Sequence, residues 1–144
     1  AMKRFCTNFH RLPNSVKSRL TVENDDKASM YSVVDLYEGV YKVIGIPIVF
    51  DYHHHKFCTG GLTEEDALEV AISTWVDIVP VVHYSESRSK EYEDDKIRPQ
   101  AHSDYVLDYI DTYGNRVDIM VEAKAKELAV LRYKEIHNDT RTNS

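Results

Sequence analysis

The sequence contains few of the features that would place it in a specialised class of protein. Its 144 residues include only two cysteines, Cys6 and Cys58, which are too few and too far apart to suggest a disulfide framework. No apolar run approaches the roughly 20 residues that a bilayer span needs, and the first residues show no signal-peptide pattern. We therefore expect an intracellular protein, cytoplasmic or, in a eukaryote, nuclear, that has no membrane partner.

Several common catalytic and nucleotide-binding motifs are also absent. The chain has neither a GxGxxG fingerprint nor a P-loop, and Gly60-Gly61 is too short to cradle a phosphate. The segment Tyr84-Ser85-Glu86-Ser87 lacks the glycines of a nucleophile elbow. Cys58 has histidines nearby, but no independent residue that would orient it as a nucleophile can be identified.

Charge and composition leave a wide choice of function. A net charge of −6 argues against a generally basic nucleic-acid binder. It does not exclude an enzyme whose acidic residues gather around cations, because a bound metal ion reverses the local field. With 42% hydrophobic residues, residues 2–144 are expected to form a single domain with a real core.

Short apolar runs alternate with amphipathic segments along the chain. Strands are predicted to start near residues 19, 47, 79 and 117, and the run Ile48-Val49-Phe50 is typical of a buried parallel strand. Helices are predicted for most of 3–18, from Ser32 to Gly45, from Thr63 to Trp75, from Ser103 to Gly114, and over about 124–137.

This alternation predicts an α/β fold of four consecutive βα units, which is half of a TIM (β/α)8 barrel. A small open doubly wound parallel sheet is the alternative. The polar stretch 84–101 is long for a loop in a compact domain, so it is expected to be functional or disordered. Residues 138–144 are expected to be a frayed tail.

Each predicted strand ends in a residue that can bind a metal ion: Glu23, Asp51, His83 and Glu122. Parallel strands place their carboxyl ends on one rim, so these four side chains are expected to share a site. His54 follows Asp51 by three residues in a turn and could bind the same ion, with His53 and His55 behind the ligands or on the substrate side. A carboxylate after a strand is often only a helix N-cap, and a lone histidine is often only a loop residue.

Mixed imidazole and carboxylate ligands suit Mn²⁺, Zn²⁺ or Fe²⁺ better than Ca²⁺ or Mg²⁺. More than four candidate ligands would accommodate two ions, which could activate a water and stabilise the leaving oxygen of a phosphodiester. Lys124 directly follows a candidate ligand and could offset phosphate charge, whereas Lys126 fits a solvated helix residue better.

Five segments, read together, resemble the UV damage endonuclease family. They are Val22-Glu23-Asn24-Asp25-Asp26, Phe50-Asp51-Tyr52-His53-His54-His55, Val82-His83-Tyr84-Ser85, Ala101-His102-Ser103-Asp104 and Val121-Glu122-Ala123-Lys124-Ala125-Lys126. The resemblance is to the carboxyl-terminal half of that family's chain only, the second half of a TIM barrel. It implies incision of double-stranded DNA immediately 5′ to UV photoproducts, with Mn²⁺ as the favoured ion and Zn²⁺ or Mg²⁺ as alternatives.

The resemblance also implies roles for particular residues. It assigns metal binding to Glu23, Asp51, His54, His83, His102 and Glu122. With it we expect Lys124 to be the catalytic cation, and Asn24 and His55 to bind substrate.

Nothing in this sequence corresponds to the family's first barrel half. The edge strands of a half barrel would expose backbone and apolar surface, so we predict a homodimer or a complementing chain that supplies the N-terminal half-barrel. Two other functions remain open. One is a sugar isomerase-like relative with the same barrel and metals, and the other is a non-catalytic remnant that binds metal or a partner.

Overall fold

The computed structural model describes residues 1–137, and the predicted frayed tail at 138–144 lies outside the described residues. Four short strands form one sheet: β1 (Val22–Glu23), β2 (Ile48–Asp51), β3 (Val81–Tyr84) and β4 (Asp118–Val121). All three neighbouring pairs are parallel, and the strands lie in sequential order. The predicted α/β fold is confirmed, with the strand order of half a TIM barrel. A doubly wound sheet needs a reversal of strand order, so that alternative is wrong.

The helices are short. They are α1 (Met2–Phe9), α2 (Asn14–Lys17), α3 (Val33–Leu36), a π-helical turn (Tyr37–Tyr41), α4 (Lys42–Ile44), α5 (Tyr52–His55), α6 (Glu64–Ser73), α7 (Arg88–Glu91) and α8 (Glu127–His137). Within residues 1–137, none of them has both the length and the apolar character needed to cross a membrane.

The predicted ends of two helices are confirmed. Ser32 Oγ accepts a hydrogen bond from the Asp35 amide, and the Asp35 carboxylate accepts one from the Ser32 amide, which is a complete capping box. Thr63 Oγ1 accepts from the Asp66 amide at 3.1 Å at the start of α6. Gly45 ends α4 with a φ of 73°, a left-handed conformation that glycine adopts without a steric penalty.

The parallel register separates the sheet into two faces, because paired residues on neighbouring strands point to the same side. One face carries Val22, Ile48, Phe50, Val82 and Ile119, which belong to the hydrophobic core or pack against it. The other face carries Glu23, Val49, Asp51, His83 and Met120. Met120 is 54% exposed, so this second face is open at β4.

The helix predicted from Ser103 to Gly114 does not form. Instead, two carboxylates from earlier in the chain bind the amides of this segment. Glu86 accepts from the amides of Leu107 and Asp108 at 2.9 and 3.0 Å, and Glu91 accepts from the two amides before them in the segment. The apolar spacing that suggested a helix is satisfied without one, because Val106 and Ile110 are buried by an irregular chain.

The polar stretch 84–101 is ordered rather than structureless. It contains α7, and Ser87 forms an antiparallel bridge with His102. Arg88 Nη1 lies 2.6 Å from Asp104 Oδ1, and the Tyr92 hydroxyl donates to the same carboxylate. The last helix begins at Glu127 rather than near 124, because Lys126 has a left-handed φ of 57°.

Candidate metal centre

The carboxyl ends of the four strands bring together four side chains that can bind a metal ion. Glu23 is the last residue of β1, Asp51 is the last residue of β2, His83 lies in β3, and Glu122 directly follows β4. Each offers one ligand atom, and these atoms all lie within 4.8 Å of one another. The convergence that was expected from parallel strand ends is therefore present for these four residues.

His83 lies at the centre of this cluster. Its Nδ1 is 2.9 Å from Glu122 Oε1 and 3.3 Å from Glu23 Oε1. The atom is buried, yet neither contact has the geometry of a hydrogen bond from a ring N–H. Two carboxylates and an imidazole nitrogen thus approach a common point rather than pair with each other. That arrangement fits a cation held between them.

Asp51 is both a helix cap and a member of the cluster. Its Oδ1 accepts the His54 amide at 2.8 Å and so starts α5, as the simpler interpretation of a carboxylate after a strand would have it. The other oxygen, Oδ2, lies 3.7 Å from His54 Nδ1. One oxygen is therefore used locally, and the second remains available to the cluster.

Asn24 holds Asp51 in place through the backbone. Its side-chain carbonyl accepts the Asp51 amide at 2.8 Å, and its side-chain amide donates to the Asp51 carbonyl at 3.0 Å. Asn24 is 1% exposed, and its amide is occupied by this pair of bonds. In this structure it positions a ligand and has no free amide to contact a substrate, contrary to the expected substrate-binding role.

His54 lies beside the cluster with a defined proton position. Its Nδ1 is 2.7 Å from the Asn24 carbonyl oxygen and 3.4 Å from Glu23 Oε1. A carbonyl oxygen only accepts, so Nδ1 carries a proton and the other nitrogen, Nε2, is left without one in the neutral ring. Metal-binding histidines characteristically donate one ring N–H to a carbonyl or carboxylate in this way.

The electrostatics of the cluster show the strain of three neighbouring carboxyl groups. Burial and a hydrogen bond with Glu23 raise the pKa of Asp51 to about 7. Burial also acts to raise the pKa of Glu23, but hydrogen bonds from His83 and Asp51 outweigh it, so the Glu23 pKa is lowered. A divalent ion would remove this repulsion by neutralising the carboxylates.

Both neighbouring imidazoles hold a proton more strongly than a free histidine. The hydrogen bond with Glu23 raises the pKa of His83, with burial opposing it. Burial lowers the pKa of His54, but the charge of Asp51 and the bond to the Asn24 carbonyl reverse this and leave it raised. Protons therefore compete with metal for the same nitrogen and oxygen atoms.

His102 is not part of the four-residue cluster among the described residues. Its backbone bridges Ser87, and its ring centroid lies 5.9 Å from that of His53. His53 is 1% exposed, and its Nε2 is 3.3 Å from the Gln100 carbonyl oxygen. His102 is therefore connected to α5 and the 84–101 segment, and its metal-binding role stays a prediction.

The structure places His55 and Lys124 differently from the expected roles. His55 is 4% exposed, with its ring centroid 5.5 Å from that of Phe50, and burial lowers its pKa. It belongs to the core because one turn of α5 rotates it away from Asp51, so it is not placed to bind substrate. The Lys124 side chain is exposed and acts electrostatically on Asp104, so its catalytic role stays a prediction.

Sequence analysis assigned no role to Ser85, although it lies two residues after His83. Ser85 is 2% exposed, and its Oγ has no hydrogen-bond partner in residues 1–137. A buried hydroxyl without a partner is costly, so its presence beside the cluster marks it as part of the site. A serine after a strand is too common a pattern to have identified it.

The parallel sheet and its carboxylate–histidine cluster define an α/β protein with a candidate divalent-metal centre at the strand ends. The family model described as "UV-endonuclease UvdE" matches residues 1–142. The chain therefore belongs to the UV-endonuclease UvdE family. The match is not limited to a carboxyl-terminal part of this chain.

Curated relatives and a solved structure agree with this assignment. The chain is 37% identical over 145 residues to the UV DNA damage endonuclease of Bacillus cereus (strain Q1), covering 92% of this chain and 42% of the relative. It is 36% identical to that of Bacillus thuringiensis subsp. konkukian (strain 97-27), with the same coverage. The crystal structure of SacUVDE superposes with a TM-score of 0.77 at 31% identity, covering 95% of this chain and 45% of that one. The chain thus spans less than half the length of these relatives.

Proposed function

We propose that this chain is part of a metal-dependent DNA repair endonuclease that hydrolyses the phosphodiester immediately 5′ to UV photoproducts in double-stranded DNA. The observation that supports this most strongly is the convergence of Glu23, Asp51, His83 and Glu122 within 4.8 Å. Family membership supplies the substrate, because the relatives are named as UV DNA damage endonucleases. An intracellular location is part of the same proposal.

In this proposal the cluster residues hold the metal, Mn²⁺ first and Zn²⁺ or Mg²⁺ as alternatives. Glu23, Asp51, His83 and Glu122 supply the atoms already gathered, and His54 adds Nε2. A bound divalent ion supplies charge neutralisation at a phosphate oxygen and lowers the pKa of a water molecule. His102 is proposed as a further ligand on the side of the 84–101 segment.

The chain's own residues fix this arrangement in three ways. Asn24 holds the backbone of Asp51 on both sides, so the carboxylate cannot turn out of the cluster. The Asn24 carbonyl keeps a proton on His54 Nδ1. Lys124, which is exposed one residue beyond the Glu122–Ala123 end of β4, is proposed to attract a DNA phosphate.

We also propose that a second half-barrel completes the site. The second sheet face carries the exposed Met120 next to the buried Val49 and the cluster, and relatives are more than twice as long. The partner is either another copy of this chain or a complementing N-terminal half-barrel chain, with this chain corresponding to the carboxyl-terminal half. Sedimentation velocity tests this: a dimer or a stable heterodimer is expected, and a monomer that does not change on mixing would contradict it.

A nicking assay tests the activity. The substrate is a duplex that carries one cyclobutane pyrimidine dimer, with an undamaged duplex of the same sequence as its control. The chain is assayed with Mn²⁺ or with EDTA, alone and after mixing with an N-terminal half-barrel from a relative. We expect little incision by the chain alone, and Mn²⁺-dependent incision 5′ to the lesion by the mixture.

Two glutamate variants show whether the cluster is responsible. Glu122→Gln should abolish incision by the mixture, because it removes a charged oxygen next to His83. Glu135→Gln, an exposed glutamate on α8, should leave it unchanged. Equal activity of both variants would contradict the assignment of the cluster to catalysis.

A second candidate is a remnant that binds metal or a partner without chemistry. The observation in its favour is that the chain covers only 42% of the Bacillus cereus relative. Calorimetric titration separates the two: Mn²⁺ binding to the cluster without any incision by the completed barrel would identify the remnant.

A further inference from the structure

The positive charge of this acidic protein is concentrated at its start. Residues 1–22 carry five lysines and arginines and no acidic residue, namely Lys3, Arg4, Arg11, Lys17 and Arg19. The remaining 122 residues carry 13 lysines and arginines against 24 acidic residues. Such a separation of charge within one chain is typical of a surface that binds a polyanion.

The cations of this segment are available to a ligand. Lys3, Arg4, Arg11 and Arg19 are exposed, and none of them forms an ion pair with any residue in the described part of the chain. Elsewhere, by contrast, Lys42 pairs with Glu38 at 3.0 Å.

Packing turns the charged side of α1 outward. The opposite side is fixed to the protein, since Cys6 and Phe9 are buried and Cys6 Sγ donates to the Gly39 carbonyl oxygen. Lys17 lies over the Phe9 ring at 5.7 Å, so α2 places its cation next to α1. At a rise of 1.5 Å per residue, Lys3 to Arg11 would extend over about 12 Å. We define the basic surface as Lys3, Arg4, Arg11, Lys17 and Arg19.

We propose that the basic surface binds the phosphate backbone of duplex DNA, at a place separate from the metal cluster. The inference rests on the proposed function for the identity of the polyanion. Rows of Lys and Arg bind phosphates without regard to sequence, and they fix where a protein sits on a duplex rather than which bases it reads. The surface would thus give this half of the enzyme its own hold on DNA.

The observations favour DNA over an anionic membrane. A helix that binds a lipid surface inserts its apolar face between the headgroups. In α1 that face is already buried against the π-helical turn and is not available for insertion. Only the polar, cationic side is free, which suits a phosphate backbone that lies outside the protein.

A salt-dependent binding measurement tests the proposal. The full chain is titrated against a fluorescent, undamaged duplex of about 20 base pairs in EDTA, at several salt concentrations. The variant R4Q/R11Q/R19Q should bind about tenfold more weakly, and the slope of log K against log salt should become shallower by up to about 2.7. The variant R4K/R11K/R19K retains the charges and should bind like the unchanged chain.

A matched control removes the same charge elsewhere. The variant K42Q/R116Q/K134Q has the same net charge as R4Q/R11Q/R19Q and should keep both affinity and slope close to those of the unchanged chain. Circular dichroism and urea midpoints should be the same for all variants, because every substituted residue is at the surface.

Three results would overturn the proposal: no binding by the unchanged chain, equal weakening by the control variant, or loss of binding only to vesicles of anionic lipid. The assay needs neither metal nor incision, so its failure is distinct from failure of the nicking assay.

Discussion

The substitution Asp51→Asn tests whether the cluster is built for a cation. Asp51 is 1% exposed and shares a hydrogen bond with Glu23, in a site that also contains Glu122. Asparagine has nearly the same shape and also caps helices well, so α5 should start as before. The change removes one negative charge from the cluster and little else.

The size of the effect follows from the pKa of Asp51. At about 1.4 kcal/mol per pH unit, a rise from 3.8 to about 7 corresponds to about 4 kcal/mol of lost stability once the folded protein must ionise this group. Glu23 and the neighbouring histidines readjust their protons, so we expect about 2 to 4 kcal/mol.

The sign is fixed by linkage. A carboxyl group with a raised pKa in the folded state favours folding below about pH 4, and this contribution is lost as the pH rises through about 7. Without metal, Asp51→Asn should therefore become progressively more stable than the unchanged chain between about pH 4 and pH 8. With Mn²⁺ at about 100 times its dissociation constant, the unchanged chain should gain about 2.7 kcal/mol, and the variant should gain little.

Urea denaturation followed by circular dichroism measures both effects, in EDTA and in Mn²⁺. Asp118→Asn is the control, because Asp118 is an exposed aspartate of β4 outside the cluster. The reasoning would be refuted if Asp51→Asn destabilised the metal-free protein at pH 8, or if Mn²⁺ stabilised the variant as much as the unchanged chain.

Three further predictions concern the supports of the site. Asn24→Ala removes two buried hydrogen bonds to the Asp51 backbone; we expect a loss of about 2 kcal/mol in urea denaturation and at least about tenfold weaker Mn²⁺ binding in calorimetry, whereas the exposed Asn14→Ala should change neither. Mn²⁺ affinity should fall by about tenfold or more from pH 8 to pH 6, since Asp51 has a pKa of about 7 and must lose its proton; calorimetry at constant ionic strength would disprove this by a flat profile. Gly45→Ala should cost about 1 to 2 kcal/mol in urea, because φ is 73° and no atom lies near enough to clash, and Gly45→Asn should recover part of that loss.

The sequence predicted correctly what depends on neighbouring residues. Alternating apolar runs and the caps at Ser32 and Thr63 identified the α/β class and two of the helices, since such signals act over a few positions. The strand ends also identified Glu23 and Asp51 as members of one site, because parallel strands leave a sheet at the same edge.

Distant contacts decided the rest. The segment 103–113 has helical spacing, but carboxylates from Glu86 and Glu91 bind its amides, and no local pattern could reveal that competition. His55 was expected at the substrate and lies in the core, because the direction of a side chain in a single helical turn depends on what packs against it.

Sequence alone therefore determined which residues could bind a metal and where the strands would end, because periodicity, capping and residue chemistry are written locally. Only the tertiary structure decided which of those residues meet. The approach of His83 to Glu23 and Glu122, and the grip of Asn24 on Asp51, depend on strand register and close packing between segments that are far apart in the chain.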